Sequence, residues 1–134
     1  MKSSDKKIMI VEDDILLLLV EKRLVEHLGY EVIGTASEGD VALEKIKAAK
    51  PDIILMDVNL HGPIRGTDVV EQMRLQGDDT PVVFLSAERE AHLVQKAKQL
   101  GCIDFLLKPI SPKKLEATLN VAFEYHGLLN PSAA

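Results

Sequence analysis

The chain predicts an α/β fold, a parallel sheet covered by helices, and three observations predict it. Short continuous apolar runs alternate with longer segments of helical spacing. Several of those runs are apolar at nearly every position, as strands buried on both faces are. The length, 134 residues, suits one core and not two. Five strand–helix units result, without an internal sequence repeat.

The first strand is "IMIV", residues 8–11, and a helix follows from about Asp14 to Leu28, stopping at Gly29, a residue suited to a left-handed cap. At 100° per residue its inward stripe reads Leu17, Val20, Leu24 and Leu28, while Ile15 and Leu19 project on the other side with Lys22 and Glu26. "EVIGTA", residues 31–36, is the second strand, and the second helix covers about 38–49, ahead of Pro51. "IILM", residues 53–56, leads to a helix over about 67–76. "VVFL", residues 82–85, precedes one over about 89–100 that ends at Gly101. "IDFLL", residues 103–107, is the fifth strand; Ser111 then Pro112 read as N-cap and first helical residue of a helix over 112–125. "LLNPSAA", residues 128–134, reads as a flexible tail, which leaves 6–127 as the domain.

A net charge of −5 with scattered basic residues speaks against a nucleic-acid or anionic-membrane surface, since phosphate-rich partners attract concentrated Lys and Arg. The single cysteine, Cys102, permits no intramolecular disulfide and agrees with a reducing compartment; it reads as a small buried hydrophobe. No apolar stretch reaches the length of a membrane span, and "MKSSDKK" leads into a short strand-like run. A soluble cytoplasmic protein is expected. His27, His61, His92 and His126 lack metal-ligand spacing and are expected to be solvated.

In sheets of this kind the ligand crevice lies outside the carboxyl ends of the strands. Glu12, Asp13 and Asp14 follow the first strand, Asp57 the third, Ser86 the fourth, and Lys108 with Pro109 the fifth. All of them are therefore expected on one rim. Two carboxylates about 4 Å apart repel by roughly 4 kcal/mol at an effective dielectric near 20, so such a cluster raises its pKa values or recruits cations. Hard oxygen ligands with incomplete coordination suit Mg²⁺, which keeps waters and takes phosphate oxygens. An acid surrounded by a cation, a hydroxyl and an ammonium is suited to accept a phosphoryl group, a reaction that depends on in-line placement and charge neutralisation. Asp57 is the nucleophile in that reading, with Ser86 and Lys108 contacting the product. Asp14 reads better as a group answering the dipole of the first helix.

"IMIVEDD", "IILMDVNL", "PVVFLSAE" and "DFLLKP" resemble, in order, the motifs of two-component response-regulator receiver domains, over about residues 6–127. The resemblance implies a flavodoxin-like (βα)₅ doubly wound parallel sheet of strand order 2-1-3-4-5. It implies that Asp13 is a direct metal ligand and Glu12 one acting through water, that Asp57 is the phosphorylated residue, and that an Asn59 backbone carbonyl completes the shell of Mg²⁺, with Mn²⁺ as a substitute. It makes Ser86 the switch hydroxyl, Phe105 the switch aromatic and Lys108 the phosphate-contacting lysine, joined to Pro109 by a cis bond. Phosphorylation would draw the Ser86 hydroxyl inward, let Phe105 fill the space, and change the face formed by the fourth helix, fifth strand and fifth helix. Asn59 and Glu88 stand where the family tunes acyl-phosphate lifetime, and their pairing resembles that of fast-resetting chemotaxis-type regulators. One departure is the loop "NLHGPIRG", whose second glycine, Gly66, comes one position late, with Arg65 where an acid is common.

The implied donor is a histidine kinase or histidine phosphotransfer protein, acting on a stand-alone regulator or on the receiver of a larger one, monomeric or weakly dimeric. Such a domain is not an ordinary enzyme, although it catalyses its own phosphorylation and dephosphorylation. Ile15 and Leu19, near the active rim, are expected to help dock the donor's helix. An alternative is a haloacid-dehalogenase-type phosphatase, but there the acidic pair comes late and an acid stands two residues after the nucleophile, where this chain has Asn59. A phosphate-independent interaction module is a second alternative, against which the full set of acids, Ser86 and Lys108 argues.

Overall fold

The structure is a computed structural model and describes residues 6–129. The elements follow the alternation of the sequence: β1 (Lys7–Val11), α1 (Ile15–His27), β2 (Glu31–Ala36), α2 (Gly39–Ala49), β3 (Ile53–Asp57), α3 (Gly66–Leu75), β4 (Val82–Ser86), α4 (Ala91–Gln99), β5 (Asp104–Leu107) and α5 (Pro112–Leu129). All strand pairs are parallel, in the order β2-β1-β3-β4-β5, the flavodoxin-like arrangement expected. The fifth helix runs past residue 127 to Leu129; of the expected tail, residues 130–134 lie outside the described residues.

Strand alternation sends side chains to two cores. Met9, Val11, Ile54, Met56, Val82 and Phe84 meet Ala42 and Ile46 of α2, Val69 and Met73 of α3, and Ala97 of α4. On the other face Ile8, Ile10, Ile53, Leu55, Val83 and Leu85 meet Val25 of α1 and Leu115, Leu119 and Ala122 of α5. The central strands are greasy on both sides because helices cover both. Every residue of β3 is buried, including its terminal acid, Asp57.

Caps explain the helix starts. Asp14 is the N-cap of α1, its Oδ1 accepting from the backbone N–H groups of Leu16 (2.9 Å) and Leu17 (3.1 Å), a structural role as expected, but as a cap and not as a first-turn acid. Ser111 precedes α5 as expected, its carbonyl accepting from Leu115 N–H at 2.9 Å. Gly29, at φ +98°, turns the chain out of α1. Helix α4 begins at Ala91, two residues later than the spacing predicts, because a turn closed on Ser86 occupies the start.

The inward face of α1 differs from the expectation. Val20 is exposed, and Glu21 is buried in its place, between the half-buried Leu17, Leu18 and Leu24 and the buried Val25. Three- and four-residue steps from 17 and 18 lead through 21 to 24, 25 and 28, so the stripe passes through position 21 whatever residue stands there.

Candidate functional site

The sheet register carries the predicted residues to one row. Glu12 N–H donates to Ala36 O at 2.9 Å, Val58 N–H to Leu85 O at 2.9 Å and Lys108 N–H to Ser86 O at 2.8 Å, so the ladder continues past the strand ends and fixes the first residue of each loop. The Lys108–Pro109 bond is cis, as the resemblance implies.

Within this row Glu12, Asp13 and Asp57 bring carboxylate oxygens within 4.8 Å of one another. Glu12 and Asp57 are buried, at 0% and 2% exposure, while Asp13 opens toward solvent. Lys108 Nζ lies 3.0 and 3.2 Å from the two Glu12 oxygens and 3.2 Å from Asp57 Oδ2. One ammonium thus serves two buried acids, and the cluster keeps an excess of negative charge. The Asn59 backbone N–H donates to Asp57 Oδ1 at 3.1 Å, while the Asn59 side chain is exposed. An all-oxygen donor set, short of positive charge and partly open, fits a hard divalent cation.

Three placements are more particular than the sequence suggests. Ser86 ends β4 fully buried, and its hydroxyl is engaged by the next turn: Oγ donates to Glu88 O at 2.7 Å and accepts from Glu88 N–H at 3.1 Å. Phe105, paired with Phe84 across the sheet, is already inside at 5% exposure. His61 has an exposed side chain, as expected, yet its Nδ1 pairs with Asp13 Oδ2 and its backbone N–H donates to the same oxygen at 3.1 Å. Cys102 is half-buried, and burial pushes its thiol up, which suits packing better than redox chemistry.

Sequence reasoning missed Glu21. Its side chain is buried on the inward stripe of α1, and neither of its oxygens has a hydrogen-bond partner among the described residues. The available signal was its position on the buried stripe of α1.

The loop after Asp57 is anchored at both ends. Asn59 is held by its N–H as above, and Gly66 N–H donates to Val58 O at 3.0 Å. A side chain at Gly66 would overlap the Asp57 carbonyl oxygen, so only glycine lets α3 start this close to the acid. Gly66, one position late in the sequence, therefore still reaches the site.

Burial raises Asp57 to about 7, helped by the neighbouring Glu12 and opposed by Lys108 and the Asn59 N–H. Burial, with Glu12 next, raises Glu21 to about 9. Burial alone would lower Lys108, but contacts with Glu12 and Asp57 win and raise it. Both acids keep protons in the folded chain that the unfolded chain releases near pH 4, so their contribution to stability is full below that pH and is lost as pH rises through about 7 and then 9. In EDTA, unfolding stability is expected to fall between pH 5 and pH 9 by something on the order of 1–3 kcal/mol, and Mg²⁺ is expected to shrink the fall by binding the ionised cluster. Urea titrations at the two pH values, with and without Mg²⁺, measure this; a midpoint independent of pH would contradict it.

A five-stranded doubly wound sheet with an acidic cluster and a lysine at its carboxyl rim defines the class: an α/β domain with a buried aspartate at the end of its central strand. Residues 8–120 match the model of the response regulator receiver domain, and the chain belongs to that family. It is 31% identical over 115 residues to the chemotaxis protein CheY of Thermotoga maritima, covering 86% of this chain and 95% of that one. It is 33% identical over 129 residues to the alkaline phosphatase synthesis transcriptional regulatory protein PhoP of Bacillus subtilis, covering 96% of this chain and 53% of PhoP. The chain thus spans about half the length of PhoP. Among solved structures, the signal receiver domain of the response regulator NarL from Mycobacterium tuberculosis superposes with a TM-score of 0.81 at 30% identity, over 90% of this chain and 98% of that one. Membership in this family sets aside the dehalogenase-type phosphatase. No helix among the described residues is long and apolar enough to cross a membrane.

Proposed function

We propose that this receiver domain takes a phosphoryl group onto Asp57 from a phosphohistidine donor, a histidine kinase or phosphotransfer protein, in a reaction that needs Mg²⁺. The observation that carries the proposal is the convergence of Glu12, Asp13 and Asp57 within 4.8 Å, with Lys108 Nζ 3.2 Å from Asp57 Oδ2. An Asp57 carboxylate oxygen attacks phosphorus; the P–N bond breaks, its electron pair returning to the imidazole nitrogen of the donor. Lys108, already beside Oδ2, neutralises charge gathering on the phosphoryl oxygens. Bound Mg²⁺ supplies the remaining charge neutralisation. Asp13, Asp57 and the Asn59 carbonyl would hold the ion, with Glu12 acting through water. Hydrolysis by water later returns Asp57 to the carboxylate and releases inorganic phosphate.

Signal output follows from Ser86. To reach a phosphoryl oxygen its hydroxyl must leave Glu88 O, and this reorganises the turn leading into α4. Arg89, whose Nη1 donates to Phe105 O at 3.3 Å, ties the same turn to β5, so the change is passed to the α4–β5–α5 face. Donor docking is supported by the start of α1, where Ile15, Leu16, Leu19 and Val20 are all exposed, two more apolar groups than the sequence stripe predicts. We take residues 6–127 as the functional unit and the cytoplasm as its compartment.

Mass spectrometry after incubation with acetyl phosphate and Mg²⁺ tests the assignment. One added phosphoryl group is expected, and none when EDTA replaces Mg²⁺. An unmodified protein in both samples would favour a phosphate-independent interaction module.

A further inference from the structure

Each acid of the cluster is held in its own way. Lys108 grips both oxygens of Glu12, while Lys108 and the Asn59 N–H hold Asp57 through its two oxygens. Asp13 is the acid that opens toward solvent, and among the described residues His61 alone holds its carboxylate. Two groups of His61 converge on one oxygen: ring Nδ1 pairs with Asp13 Oδ2, and the backbone N–H donates to the same atom at 3.1 Å. A carboxylate caught twice by one residue has lost most of its freedom to turn.

His61 is itself placed by the chain on either side. Leu60, before it, is buried in the core that α2 and α3 cover, and Gly62, after it, turns the backbone at φ +94°. Ile64 packs against the start of α2, where a side chain at Gly39 would collide with it. The imidazole is therefore exposed, yet carried by a loop whose path is fixed on both sides of it.

We propose that His61 is a positioning residue of the cation site: it aims the Asp13 carboxylate before the ion arrives, and so ties the β3–α3 loop to cation binding. The inference deepens the phosphoacceptor reading above and rests on it for the identity of the ion. Imidazole carries a proton on Nδ1 in one neutral tautomer, and the second donor is backbone, so the tie does not depend on the charge of the ring. Of the three acids, Asp13 has the most motion to lose when an ion binds, because Glu12 and Asp57 are buried and held by Lys108. Aiming Asp13 in advance removes that cost, and partners that orient a metal ligand commonly contribute about tenfold in affinity.

His61→Ala and His61→Asn, made in the full chain, separate aiming from folding. Alanine removes the ring donor; asparagine returns an amide N–H close to where histidine has Nδ1. The urea midpoint of the Ala variant in EDTA is expected to match wild type, because the lost side chain is exposed. Its Mg²⁺ affinity by calorimetry is expected to fall about tenfold, and the Mg²⁺ needed for half-maximal phosphorylation by acetyl phosphate to rise by the same factor. Most of the rate should return at saturating Mg²⁺, and the Asn variant should recover most of the affinity. An Ala variant with wild-type or tighter Mg²⁺ binding, one with a lowered urea midpoint, or an Asn variant as weak as Ala would each overturn the proposal. The Mg²⁺ titration needs no phosphodonor. A wild-type protein that binds Mg²⁺ yet gains no phosphoryl mass would sink the phosphoacceptor reading, while the affinities of the variants would still decide the role of His61.

Discussion

Asp57→Asn is expected to abolish phosphoryl uptake altogether, with no added mass after incubation with acetyl phosphate and Mg²⁺, while leaving the fold intact. The amide has the shape of the acid, and its oxygen still accepts from Asn59 N–H, but its electrons are withdrawn into the amide bond and it is no useful nucleophile. The substitution also removes a charge that burial opposes. At pH 8, where the wild-type carboxyl is mostly ionised, the variant should unfold at equal or higher urea concentration than wild type. A variant that still gains a phosphoryl mass would move the acceptor to another residue; one that unfolds early would show that the Asp57–Lys108 contact outweighs the cost of burying the charge.

Lys108→Ala should produce the second large effect, and its sign on stability is the opposite. Lys108 Nζ is the one cation within 3.2 Å of both Glu12 and Asp57 among the described residues. Removing it strands two buried carboxylates, and breaking a buried pair from one side costs about 3–5 kcal/mol. Because Asp57 is raised to about 7 and so carries a proton at pH 5, the loss should be severe at pH 8 and smaller at pH 5. Mg²⁺ should recover part of it, since a divalent cation supplies the missing charge. Phosphorylation should stay slow even where Mg²⁺ restores the fold, because Lys108 also serves the transferring group. Urea midpoints at both pH values, with and without Mg²⁺, give the first result, and phosphorylation rates the second. A penalty equal at pH 5 and pH 8 would assign the loss to packing by the lysine stem and not to charge.

The strands were legible because a parallel sheet covered on both faces demands unbroken apolar runs, and each of the five runs is a strand within about a residue of its expected limits. The rim residues were legible by the same logic, since a strand end fixes the direction of the next side chain. Where sequence reasoning stopped, the cause was contact between distant segments. Glu21 escaped notice because a glutamate on a helix reads as solvated, and only the packing of α1 against the sheet makes it otherwise. The His61 contact with Asp13 joins residues 48 apart through a loop whose course no periodicity dictates. The partner of Ser86 depended on a turn three residues long, which also displaced the start of α4. Phe105 was rightly placed on a buried strand, but its inward position came from packing with Ala97 and Phe84.

The double anchoring of the loop after Asp57 has an evolutionary corollary. Its two ends are tied beside the acid, Asn59 N–H to the Asp57 carboxylate and Gly66 N–H to the Val58 carbonyl, and between them His61 reaches the cluster through Asp13. Exchanges in that interval that spare His61 can alter what an approaching protein touches and leave the acidic cluster beneath undisturbed. The extra residue here is such an exchange: the rim can diversify into private pathways while the reaction stays common property.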